Sequence, residues 1–118
     1  MKTDRELLEL AARAIKLDLT GYEWHDSPFY VGFMRRNFEP CGLELQSQSW
    51  NPLENSAEAL GLAAILRLNI FHGGDHAVVV GKSGIQGHRC EEMVPGLGGI
   101  KATRRAIVLA AAELGGKA

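Results

Sequence analysis

The chain has 118 residues, 46% of them apolar and 23% charged, with a formal net charge of -1. That is the balance of one ordinary globular domain rather than a disordered chain, and it removes any broad electrostatic draw toward nucleic acid or acidic lipid. Two cysteines, Cys41 and Cys90, make no disulfide framework and fit reduced thiols in a cytosolic protein. Lys2, Asp4, Arg5 and Glu6 leave no secretory signal at the start, and no apolar run reaches the ~20 residues of a membrane span.

Thr3-Asp4-Arg5-Glu6 has the form of a capping box, in which the Thr3 hydroxyl accepts from the Glu6 amide and the Glu6 carboxylate reaches back. Leu7, Leu8, Ala11, Ala12 and Ile15 then share a stripe opposite Glu9, Arg13 and Lys16, predicting an amphipathic helix over 4–17. Gly21 allows a turn, after which Tyr22 and Trp24 alternate with Glu23 and His25 as a short strand. Asp26-Ser27-Pro28 reads as a turn into a second strand carrying Phe29, Val31 and Phe33, so the pair forms an antiparallel hairpin. Leu43 and Leu45 alternate with Glu44 and Gln46 and suggest a third, edge strand.

Trp50-Asn51-Pro52-Leu53 is a loop, because Pro52 biases Asn51 away from helical geometry; Asn55 or Ser56 caps the helix that follows. Trp50 is either a ligand platform or, more in keeping with its size, a seal on the core. On the helix, Leu62, Leu66, Ala59 and Ala63 form one side, Leu60 and Ala64 another, and only Glu58, Gly61 and Arg67 are polar or small. Such two-sided apolarity predicts that residues 57–68 are covered on at least two sides, as the most buried helix of the fold.

Next come Leu68-Asn69-Ile70-Phe71-His72 and His76-Ala77-Val78-Val79-Val80, a second hairpin through Gly73-Gly74-Asp75. Eight of the fourteen glycines fall between Gly73 and Gly99, so 82–99 is expected to be rich in loops, with one more short strand near 85–90. The last helix is expected over 100–114, with Ile100, Thr103, Ile107, Ala110, Ala111 and Leu114 on its core stripe and Gly115-Gly116 as its stop. Its far side carries a second apolar patch, Ala102, Ala106 and Leu109, a candidate contact for a partner protein or a homodimer.

Chemistry is thinly signalled. Gly81-Lys82-Ser83 fails as a phosphate loop, since the motif's first glycine would fall on His76. Gly96-Leu97-Gly98-Gly99 ahead of Lys101, Arg104 and Arg105 lacks the third glycine of a dinucleotide fingerprint. The same three cations are the candidate for nucleic-acid binding, against which the net charge counts. His72 and His76, flanking a tight loop with His88 or Cys90 nearby, are the candidate metal ligands, although their spacing belongs to no closed zinc pattern. Glu91-Glu92 and His25-Asp26 are adjacent residues that point apart, and no catalytic set or cofactor site emerges.

Three segments are distinctive: Thr3 to Ala12, Trp50-Asn51-Pro52-Leu53 with its helix, and Ala102-Thr103-Arg104-Arg105-Ala106-Ile107-Val108. Together they resemble a family of small uncharacterised bacteriophage and prophage proteins, the phage ABA-sandwich domain. The resemblance implies a sheet with helices against it, as in an α-β-α sandwich, and a phage origin; it implies no activity. With the composition it leads to the expectation of a soluble accessory protein in the cytoplasm of a bacterial host. The family's acidic run after Trp-Asn-Pro-Leu here reads Glu54-Asn55-Ser56-Ala57-Glu58. The expectation is a single α+β domain: a mainly antiparallel sheet of about four to six short strands, built from two hairpins, with three helices packed against it. The expected role is non-enzymatic binding of a host or phage protein.

Overall fold

A computed structural model describes residues 2–28, 30–35, 49–72, 77–82, 88–91 and 98–117; for 72, 77–79, 88–91, 98, 99 and 117 the description is of the backbone. The order of elements is α1 (Asp4–Ala14), β1 (Tyr22–Asp26), β2 (Val31–Arg35), β3 (Ser49–Trp50), α2 (Ser56–Leu66), β4 (Asn69–His72), β5 (Ala77–Gly81), β6 (His88–Glu91) and α3 (Gly98–Lys117). Strands β1-β2-β3 form one antiparallel sheet and β4-β5-β6 a second, so the fold is α+β with both expected hairpins present. In the first, Trp24 lies opposite Phe33; in the second, Ile70 lies opposite Val80. The strand expected around Leu43 and Leu45, the loop Gly73-Gly74-Asp75 and Cys41 lie outside the described residues.

The capping box at Thr3 forms in both directions: Glu6 N–H donates to Thr3 Oγ1 at 3.2 Å, and Thr3 N–H to Glu6 Oε1 at 3.4 Å. Helix α1 stops at Ala14, three residues before the stripe runs out. Lys16 takes a left-handed conformation (φ 59°), while Lys16 N–H donates to Arg13 O and Leu17 N–H to Ala12 O. That pattern satisfies the last carbonyls and turns Leu17 and Leu19 back onto the core. Arg67 (φ 55°) ends α2 in the same way, with Leu68 N–H donating to Ala63 O at 2.9 Å.

The most buried helix is α3, not α2. Ala106, Val108, Ala110 and Ala111 are fully buried, and Ile107 nearly so. Helix α3 lies against α1, α2, β5 and β6, and its broadest contact is with α1. Arg105 meets Asp4, and Gly115 meets Leu10 and Ala14, so the two helices run in the same direction. The flanking helices, expected on opposite faces of a sheet, therefore touch directly. The helix also runs straight through Gly115-Gly116 to Lys117. A Cβ on Gly115 would fall inside the Leu10 carbonyl oxygen. Gly115, one of the pair that reads as a helix stop, is thus a close-approach site for α1, while open space surrounds Gly116. Leu7, Leu8, Phe33, Trp50, Leu53, Leu62 and Val80 complete one core cluster with α3; each fully buried Leu contributes about 2 kcal/mol.

Candidate functional site

The loop 51–55 is built around Asn51, which is only 4% exposed. Its side-chain amide donates to Val31 O, and its Oδ1 accepts from Leu53 N–H at 3.0 Å. Its carbonyl accepts from Glu54 N–H at 3.1 Å and Asn55 N–H at 2.9 Å, which closes the turn through Pro52. Its own N–H donates to Glu58 Oε1 at 2.7 Å. Gly32 (φ +137°) makes room for this packing, because a Cβ there would sit 2.6 Å from Asn51 Cβ. From the other side Arg104 donates through Nε to Leu53 O and through Nη1 to Ser56 Oγ, both at 2.9 Å. Asn55 caps α2, accepting from Glu58 N–H at 3.0 Å. The start of α2 is therefore fastened to β2 and to α3.

Two titratable groups stand beside this loop, Glu58 on α2 and Tyr30 just before β2. Burial holds the Glu58 carboxyl above its ordinary range, with the Asn51 amide pulling it partly back. Burial likewise raises the Tyr30 phenol, against hydrogen bonding from Ser49; the hydroxyl donates to Phe33 O at 2.8 Å. Both side chains are committed to backbone groups, which is a structural use of polar atoms rather than an acid-base pair. Trp50, 9% exposed, seals the core and offers no platform.

What the loop holds in place is the outward side of α2. Ala59, Leu62 and Ala63 face the core, but Leu60 is 64% exposed and Ile65 63%. Ala57 and Ala64 are exposed between them, and Gly61 partly so. Cover on at least two sides, expected from composition, is thus overturned: α2 has a dry side and a wet side, and the wet side is apolar. Exposed single hydrophobes are ordinary, whereas several on one helical face mark a docking surface.

The sequence candidates fare differently. Ala102 and Ala106 are buried in the protein's own core and Leu109 packs against it, so the second apolar patch of α3 is spent internally. Arg104 is engaged with Leu53 and Ser56, and Arg105 lies 3.5 Å from Asp4, which leaves Lys101 as the exposed cation of that trio without a bond among the described residues. His72 closes β4 opposite Val78, its side chain outside the description; His76 lies outside the described residues, as do the side chains of His88 and Cys90. Among the described residues no three His, Cys, Asp or Glu side chains gather to hold a metal. Beside α1 an open groove of about 580 Å³ is lined by Arg13, Lys16, Leu17, Asp18, Tyr22 and Phe33. Of its two carboxylates, Glu9 is paired with Arg5 and Asp18 is held below its usual range by the Thr20 hydroxyl. No helix among the described residues is long and apolar enough to cross a membrane.

The face of α2 was legible as apolar; what composition could not show was that nothing among the described elements covers it. A scan against protein-family models and searches of curated proteins and of solved structures find no match to this chain.

Proposed function

We propose that the chain is a non-enzymatic protein-binding module, a phage or prophage accessory protein working in the cytoplasm of a bacterial host, which receives its partner on the outer face of α2. The observation that carries the reading is the pair Leu60 and Ile65, each about two-thirds exposed on a helix whose other side is fixed to the core. Binding of this kind favours a preorganised surface, since little ordering entropy is then lost on docking. Asn51, Arg104 and the Asn55 cap supply that rigidity. The internal engagement of Arg104 and Arg105 counts against a nucleic-acid surface at the start of α3.

The test uses Gly61→Lys, because nothing lies within 4 Å of a Cβ at that position and the fold has room for the change. Immobilised wild-type chain is expected to retain a protein from host or phage-infected lysate that Gly61→Lys does not. Equal capture by both removes α2 as the docking face, and capture by neither removes a host or phage protein as its occupant.

A further inference from the structure

We infer that the occupant of the α2 face is a second copy of this chain, packed antiparallel about a two-fold axis; the inference rests on the docking reading above and names its partner. A two-fold interface must be complementary to itself. This face is: Leu60 and Ile65 project, while Ala57, Gly61 and Ala64 leave a shallow seat between them, with open space above Gly61. Among the described residues no charged side chain interrupts the seat, so meeting its own image there buries no ion.

The charges stand at the two ends and have opposite signs. Exposed Glu54 and half-buried Glu58 mark the start of α2. Exposed Arg67 follows its end, and exposed Lys82 is near, because it succeeds Gly81, whose register partner is Asn69. Arg104, also near the start, is turned onto Leu53 and Ser56. An antiparallel copy sets each Arg67 toward the partner's Glu54, and does so twice by symmetry. A parallel copy would set like against like. The antiparallel order also opposes the two helix dipoles. The helix has 11 residues, about 16 Å, a contact short of the ~2,000 Å² or more that permanent dimers bury. The dimer is therefore weak and forms with concentration.

Sedimentation velocity of the full chain from about 10 to about 500 µM tests this, a span covering the dissociation constants of weak interfaces. The weight-average mass should climb from 12.8 kDa toward twice that value. Gly61→Lys should stay monomeric throughout, with an unchanged circular-dichroism spectrum as the control for folding. Glu54→Lys and Arg67→Glu should each weaken association by about three- to five-fold, as expected for two exposed ion pairs. The double variant should recover to within about two-fold of wild type. A wild type that stays monomeric, a dimer that survives Gly61→Lys, or a double variant weaker than both singles overturns the proposal. If the wild type stays monomeric yet captures a lysate protein that Gly61→Lys loses, the second copy is wrong and the docking face stands; if neither occurs, both fall.

Discussion

Helices α2 and α3 are both rich in alanine and leucine, yet one is half bare and the other is sunk in the core. The difference lies in how many elements lean on each. Helix α3 meets α1, α2 and two strands of the second sheet, whereas the one broad contact of α2 among the described elements is with α3. Composition thus says that a helix has apolar surface to bury; the arrangement of its neighbours decides how much of it is buried. Small residues matter in both places for opposite reasons. On α3 they let α1 come close, with Gly115 against the Leu10 carbonyl. On α2 they leave a depression open to water.

The largest effect should come where the contact is tightest. Gly115→Ala drives a methyl group into the backbone of α1, and a loss of about 3 kcal/mol is expected in urea unfolding. A stable Gly115→Ala would mean that the two helices do not touch as described. Leu62→Ala and Leu60→Ala divide α2 itself: the first, at a residue 1% exposed, should cost about 3 kcal/mol, the second within about 0.5 kcal/mol of nothing in the monomer. Equal costs would erase the distinction between the two sides. Gly61→Ala should stabilise the monomer by about 1 kcal/mol, because open space surrounds the new methyl and alanine is the better helix former.

The smallest effect concerns pH. The Glu58 carboxyl is raised in the folded state, so the folded protein holds its proton to higher pH than the unfolded chain does. Its ionisation therefore costs stability above the folded pKa, and that cost disappears as pH falls below the ordinary value of 4.5. Glu58→Gln should match or slightly exceed the wild type at pH 7, and the difference should shrink by about pH 4 in paired urea titrations. A Gln variant clearly weaker at pH 7 would show the hydrogen bond from Asn51 to outweigh desolvation.

Local signals carried the reading of the fold a long way. Both hairpins, the Thr3 capping box and the Asn55 cap depend on residues within a few positions of one another, and each is present. Helix ends were harder. Both α1 and α2 close through left-handed Lys16 and Arg67, residues that carry no stop signal, so the stripes read on to 17 and 68. At Gly115-Gly116 the signal is present and the helix ignores it, because the glycine serves a neighbour about 100 positions away. The hydrogen bonds of Arg104 to Leu53 and of Asn51 to Val31 are long-range in the same sense, and no spacing rule announces them. The bare face of α2 was seen as a surplus of apolar residues and assigned to the interior, since a sequence does not count a helix's neighbours.

The parallel pairing of α1 with α3 has a consequence for how the chain comes off the ribosome. Leu7 and Leu8 are made about 90 residues ahead of residues 98–117, which supply much of their cover. Until those emerge, α1 keeps a greasy stripe in water with little to lay it against. Closing so long a loop is slow and comes late. Nascent chains stalled before residue 98 should accordingly cling to holdase chaperones, and the full 118-residue segment, once free to pack α3 on α1, should not.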